Sequence, residues 1–348
     1  MKTMLVTGSG GLVGSVISEY FLERGWQVHG VDNNTRKLLF GDGGDVKPLI
    51  DKLTNNTNYR HWYLDISYHG QLEKIFEGKP FDAIVHAAAQ PSHDWAATNP
   101  LKDFAINATG TGYLLEYARI HSPETPLIHF STSKVYGDNP NQLMLQEGEK
   151  RYELIDPNYR NGISETLSID HCLHSLFGVS KTSGDLLAQE YGRYFNMPTC
   201  ILRPGCITGA NHAGVKLHGF LNYLVKCVME GRYYHILGHK GKQVRDNIHP
   251  IDFARFIEMF IDKPRCGVVY NMGGGYENSC SILEALETVQ LISGKQANFR
   301  YTNTPRIGDH VVYYSDLAKV KKDYPDWNIS MGLDPMIVEM IKAFKAGL

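Results

Sequence analysis

The chain has 348 residues, of which 43% are hydrophobic and 21% charged, with a formal net charge of -2. Those proportions exclude a disordered or fibrous chain, and the near-neutral balance excludes the broad basic footprint of a nucleic-acid or anionic-membrane binder; a small anionic ligand can still meet a local basic site. The length exceeds the roughly 100–150 residues of a common single domain, so two domains are expected, 1–205 and 206–348, with an approximate boundary that segments can cross.

The amino terminus, MKTMLVTGSGG, reaches a glycine cluster before it can build the apolar stretch of a signal peptide. No apolar run approaches the ~18 residues of a membrane helix. Cys172, Cys200, Cys206, Cys227, Cys266 and Cys280 form no CxxC pair, which reads as reduced thiols in a soluble, cytoplasmic protein. Apolar runs at 4–6, 28–31, 83–88, 127–130 and 199–202 alternate with helical patterns. Strands that alternate with helices predict right-handed crossovers and a parallel sheet, hence an α/β protein with a doubly wound Rossmann sheet. Beyond residue 205 the pattern loosens into helices near 217–230, 251–261 and 280–292 with short strands between them, the expected place for a smaller substrate-binding α/β region. No Pro/Gly/Ser linker separates the halves, so an intimate interface with a cleft is expected.

The first strand runs into TGSGGLVG, which contains Gly8, Gly11 and Gly14, and Val13, Val16, Ile17, Tyr20 and Phe21 then recur at helical spacing. A strand, a glycine turn and a helix in that order bring backbone close to a pyrophosphate, whose charge is met by free amides at the helix start. Asp32, followed by Asn33, closes the second strand eighteen residues after Gly14. Its carboxylate suits the adenosine ribose hydroxyls and repels a 2'-phosphate, so NAD is expected rather than NADP. Asp65 and Ile66 follow the third strand toward adenine, and Ala87 and Ala88 follow the fourth, where small side chains let the cofactor approach.

TGxxGxxG, Asp65, HAAAQ at 86–90, STSKVYG at 131–137 and Lys181 together resemble the extended short-chain dehydrogenase/reductase family. With QPSHDW at 90–95, GKQVRD at 241–246, YNMGGG at 270–275 and RIGDH at 306–310, the chain looks most like its sugar-nucleotide 2-epimerase branch, typified by the CDP-paratose (CDP-tyvelose) 2-epimerases. The resemblance implies that Thr132 hydrogen-bonds the reacting sugar oxygen, that Lys181 grips the nicotinamide ribose, and that Asn107 supports the cofactor site. It further implies that Gln90, Ser92 and Ser133 line the substrate, with Gln90 and Cys206 also near the cofactor, and that Arg245 and Arg306 hold the diphosphate of a nucleoside-diphosphate sugar, a task suited to the guanidinium fork. Family dehydratases carry Asp-Glu after the Thr; here Ser133-Lys134 follows, which argues against dehydration. Helices near 100–120 and 180–195 would pair two copies into a homodimer.

The family's Tyr, four residues before the Lys, is Phe177 in this chain. A phenyl ring cannot move a proton. Lys134, His93, His174 and Cys206 are the candidates to replace it, with Lys134 and His93 first. Each also has a plain structural reading, as a substrate donor, a satisfied histidine or a packing thiol. His171-Cys172-x-His174 lacks a second cluster to complete a zinc tetrahedron, so no metal is expected. Arg245 and Arg306 could instead pair with Asp246 and Asp309, and Tyr233, Tyr234 and Tyr301 either border a base slot or pack in a core.

Three functions remain open at this point. The first is an NAD-dependent epimerase that oxidises a ring carbon of a nucleotide-linked hexose, C2 as the resemblance implies, and returns the hydride to the other face. The second is an oxidoreductase with net redox change, which would show stoichiometric absorbance change at the nicotinamide band. The third is a non-catalytic NAD and nucleotide-sugar binder.

Overall fold

The computed structural model describes residues 1–78, 80–210, 219–304 and 308–347. The chain divides into two compact units of three segments each: 1–135, 176–203 and 253–270 form the first, and 136–175, 204–252 and 271–348 the second.

The first unit holds a seven-stranded sheet of β1 (Thr3–Thr7), β2 (Gln27–Val31), β3 (Tyr59–Trp62), β4 (Ala83–His86), β5 (Leu127–Phe130), β6 (Thr199–Arg203) and β7 (Val268–Asn271). Its order is β7-β6-β5-β4-β1-β2-β3, and every neighbouring pair from β3 to β6 runs parallel. Met4, Leu5, Val6, Ala83, Ile84 and Val85 have no solvent exposure. That is the signature of parallel strands covered on both faces, where a continuous apolar run replaces alternation. Strand order reverses between β1 and β4, which opens a crevice at their carboxyl ends. The expected α/β Rossmann sheet is therefore the fold. β7 was hidden in the loosened pattern after residue 205, because nothing local in Val268–Asn271 says which sheet it joins.

Helix Ser175–Tyr194 crosses the first unit with Lys181, Gly184 and Asp185 facing inward. A Cβ on Gly184 would stand 2.7 Å from the Asn107 carbonyl oxygen, so glycine sets how closely this helix meets the preceding one. Asp185 is fully buried and takes two hydrogen bonds from Arg203, at 2.9 and 2.8 Å, together with one each from Ser131 and Gln189.

In the second unit Val244–Ile248 is the central strand, antiparallel to Ser279–Ser281 and parallel to Val312–Tyr313 and Cys206–Ile207. Tyr233–Leu237 and Asn298–Thr302 form a separate parallel pair. Helices Phe220–Glu230, Ile282–Ser293 and Leu333–Lys345 pack Leu224, Val228, Leu286, Val289, Ile337 and Ile341 into one apolar cluster. Ser281 and Glu284 start the second of these helices with a reciprocal capping box.

Asp246 lies at the heart of this unit with no exposure, and its Oδ2 accepts from the amides of Ser315 (2.8 Å) and Gly275 (3.2 Å). Burial pushes its carboxyl up to about 6, against the lowering effect of those hydrogen bonds. A carboxyl raised in the folded state holds a proton that the unfolded chain has already lost, so its contribution is complete below the ordinary carboxyl range and is lost as pH rises through about 6. Asp246→Asn is therefore expected to gain stability relative to the wild type between pH 4.5 and 7, by on the order of 1–3 kcal/mol in chemical denaturation. A gap that does not change with pH would contradict this assignment.

Candidate NAD and substrate site

Gly8 has φ +72, and a Cβ there would lie 2.7 Å from the Ala88 nitrogen; one on Gly14 would lie 2.1 Å from the Gly8 carbonyl oxygen. The turn is thus closed against β4 and against itself, and only glycine fits either position. Helix Leu12–Glu23 starts at Gly11 with no side-chain cap and no acidic residue in its first turn, which leaves its leading amides available to an anion. Asp32 Oδ2 accepts the Gly10 amide at 3.0 Å and Oδ1 the Asn34 amide at 2.8 Å. Each oxygen keeps a second lone pair for a ribose hydroxyl. Burial raises the Asp32 carboxyl, while those amides, His61 and Arg36 oppose the shift. Asn33 is exposed and turns its side chain to the Thr35 amide.

Asp65 Oδ1 binds the Ser67 amide and hydroxyl, and Ile66 is buried over Gly110. Ala87 and Ala88 are half-buried, and their amides are tied to the Thr7 carbonyl and hydroxyl. The cradle, the uncapped helix and the carboxylate together fit a dinucleotide. Gly14→Ala is expected to abolish retention of NAD(H), because the added carbon cannot be placed without moving the Gly8 peptide; native mass spectrometry of the purified variant reads this directly, and retained cofactor would contradict it.

At the carboxyl end of β5, Lys181 is 3% exposed and donates to the Phe130 carbonyl at 2.7 Å. Burial pulls its ammonium down to about 8, while the carboxylates of Asp185 and Asp103 push it up. The Thr132 hydroxyl oxygen accepts the Lys134 amide at 3.2 Å, and Ser133 and Lys134 are half-buried in the short turn Ser133–Tyr136 that follows. Between Phe104 and Gly110 the helical backbone widens into a π turn over Ala105–Thr109, which buries Asn107. Asn107 brackets the backbone of Gln90, accepting its amide at 2.9 Å and donating to its carbonyl at 3.1 Å. Gln90 and Ser92 are buried, and their polar atoms are engaged within the chain. Half-buried His93 follows, with its ring centroid 4.6 Å from that of Phe177. Phe177 is itself buried on the turn before Lys181.

The second unit holds the other expected residues. Arg245 lies along Val244–Ile248 and donates to Asp309 Oδ1 at 2.5 Å and to the carbonyls of Val244 and His310. Its ion-pair partner is therefore Asp309, whereas the neighbouring Asp246 serves backbone amides. Cys206 pairs with Asn247 in a strand ladder, and His174 lies 3.6 Å from the Cys172 sulfur. Arg306 is outside the described residues. Among the described residues no cluster of three or more His, Cys, Asp or Glu could hold a metal ion, and no helix is long and apolar enough to cross a membrane.

Sequence reasoning had missed Asp103 and the pair Asp185–Arg203. The acid at Lys181 plus four, one helical turn on, was the available signal for Asp185; Asp103 gave none beyond its place four residues before Asn107.

The chain is 29% identical over 333 residues to the CDP-paratose 2-epimerase of Salmonella typhi, covering 93% of this chain and 94% of that one. It is 27% identical to the UDP-glucose 4-epimerase of Homo sapiens, over 97% and 95% of the two chains. Among solved structures it resembles a tyrosine-to-phenylalanine mutant of UDP-glucuronic acid 4-epimerase from Bacillus cereus in complex with UDP-4-deoxy-4-fluoro-glucuronic acid and NAD, with a TM-score of 0.80 at 25% identity over 99% and 100% of the chains. The family described as NAD dependent epimerase/dehydratase matches residues 4–273, and the chain belongs to that family of NAD-dependent nucleotide-sugar enzymes.

Proposed function

We propose that the protein is an epimerase of a nucleoside-diphosphate hexose, acting at C2, with His93 in the part that a phenol plays in related enzymes. The observation that carries this reading is the His93 ring against Phe177, one helical turn before Lys181: a proton-transfer group stands beside the side chain that cannot transfer one. Bound NAD supplies a hydride acceptor and donor, so a ring carbon passes through a ketone, turns its other face and is restored with no net redox change. The Thr132 hydroxyl has its oxygen engaged by the Lys134 amide and keeps its own proton to donate to the sugar oxygen. Lys181, held to the Phe130 carbonyl, sets a positive charge at the end of β5, where charge develops on that oxygen. His93 takes the alcohol proton on a ring nitrogen and returns it on reduction. Asp32 selects NAD, and Arg245 and Arg306 hold the diphosphate, Arg245 exchanging Asp309 for phosphate.

Native mass spectrometry with CDP-, UDP- and GDP-hexoses, followed by analysis of the recovered sugar from deuterated water, tests this reading. Retained NAD and conversion to an epimer with no solvent deuterium on carbon is the expected result. Protein that lacks nucleotide and is inert to added NAD overturns it. NAD with a bound but unchanged sugar favours a binder, the reading that Phe177 alone would support.

We further propose a homodimer through helices Gly110–His121 and Ser175–Tyr194, whose residues Ile120, Val179, Leu186 and Leu187 are exposed. Leu186→Glu/Leu187→Glu is expected to give monomers in light scattering; an unchanged mass contradicts this interface.

A further inference from the structure

One buried network in the first unit holds the backbone on both sides of the His93–Phe177 pair. On the His93 side, the Gln90 side chain clasps Ser92 at two points: its Oε1 accepts the Ser92 amide, and its Nε2 donates to the Ser92 carbonyl at 2.9 Å. The second hydrogen of that Nε2 goes to Asp103 Oδ1 at 2.6 Å, an oxygen that also faces Asn107 Nδ2 at 3.0 Å. On the Phe177 side, the Ser180 hydroxyl donates to the Phe177 carbonyl and stands 3.0 Å from the same Asn107 amide nitrogen. Asp103 and Gln90 are 0% and 1% exposed. A buried carboxylate is costly to desolvate and persists where it fixes something. Burial raises the Asp103 carboxyl, opposed by the hydrogen bond from Gln90 and by the Lys181 charge.

We infer that Gln90 and Asp103 are positioning residues that hold the start of helix His93–Thr98 against Phe177, Asp103 by orienting the Gln90 amide and Gln90 by clasping the backbone one residue before His93. The inference rests on the reading of His93 as the proton-transfer group only for its consequence in turnover; the geometry it asserts is read without any substrate. Gln90→Glu keeps the shape of the side chain but removes both N–H donors and sets a second carboxylate beside Asp103. Asp103→Asn removes the charge but keeps an oxygen to accept from Gln90 and Asn107. Asp103→Leu removes charge and acceptor together.

The test is histidine NMR on the full-length, NAD-saturated protein labelled at the imidazole Cε1. The His93 resonance is assigned by its loss in His93→Gln, and its displacement by the Phe177 ring current is calibrated with Phe177→Leu. Gln90→Glu and Asp103→Leu are expected to lose most of that displacement and to broaden the resonance, and Asp103→Asn to keep it. Turnover should follow the resonance, with kcat falling at least tenfold in Gln90→Glu while KM for the sugar nucleotide stays within about twofold. A Gln90→Glu protein whose His93 resonance stays in place, or an Asp103→Asn protein that behaves as Asp103→Leu, overturns the inference. If Asp103→Leu does not fold, Gln90→Glu and Asp103→Asn still decide it. Loss of the displacement in Gln90→Glu with wild-type turnover would uphold the positioning and refute His93 as the base; lost turnover with an unmoved resonance would refute the positioning.

Discussion

Exchange of His93 for Gln is expected to slow epimerisation by about 10²–10⁴-fold, the usual contribution of a positioned general base, while the purified protein keeps its NAD. Glutamine fills much of the imidazole's volume and can still donate a hydrogen bond, but it cannot take a proton near neutral pH. The loss should therefore fall on kcat, with sugar-nucleotide binding little changed. The decisive companion is the double variant His93→Gln/Phe177→Tyr, which returns a phenol to the turn before Lys181. Burial has already brought the Lys181 ammonium down to about 8, and its positive charge would favour the phenolate of a neighbouring tyrosine. The double variant is expected to recover at least tenfold over His93→Gln. If His93→Gln runs at the wild-type rate, His93 is not the base and Lys134 becomes the group to test next.

The second large effect is on stability. Arg203→Met is expected to cost about 3–5 kcal/mol in denaturant unfolding, because it strands a carboxylate in the interior. Asp185 has no exposure, and without Arg203 it is left, among the described residues, with the Ser131 hydroxyl and the Gln189 amide. The side chain of Arg203 is itself 5% exposed, so solvent cannot take over its role. Removing both charges, as Arg203→Met/Asp185→Leu, should restore most of the loss, since a well-packed apolar pair often matches a buried ion pair. A single variant within 1 kcal/mol of the wild type would mean that water reaches Asp185.

Much of the first unit is legible from the sequence because its signals are local. Gly8, Gly14 and Asp32 announce themselves by spacing, and the strands from Thr3–Thr7 to Thr199–Arg203 by unbroken apolar runs between helical patterns. What escapes is whatever depends on partners distant in the chain. The edge strand Val268–Asn271 joins a sheet begun more than 260 residues earlier, and the short run Val-Val-Tyr-Asn carries no mark of that destination. Arg245 reads as a neighbour of Asp246 along the sequence, yet alternation in a strand sends adjacent side chains to opposite faces, and its partner is Asp309. Gln90 looks like a ligand contact because it follows the alanines of the cofactor edge; its donors are instead committed to Ser92 and Asp103. Asp103 is hidden for a related reason, since its oxygen answers the Gln90 amide from thirteen residues along the chain.

The interleaving of segments also governs how the protein is made. Strand Thr3–Thr7 leaves the ribosome early, but its sheet gains its last strand only with Asn271. At the ~5–20 residues per second of synthesis, roughly 13–54 seconds pass between the two. For the last ~3–14 seconds of that interval, once Arg203 has emerged, the edge at Thr199–Arg203 lacks its final neighbour, and the growing chain must keep an open, apolar sheet border from pairing with other nascent chains. Chaperone capture during translation should therefore be concentrated in the interval after Arg203 emerges and before Asn271 does.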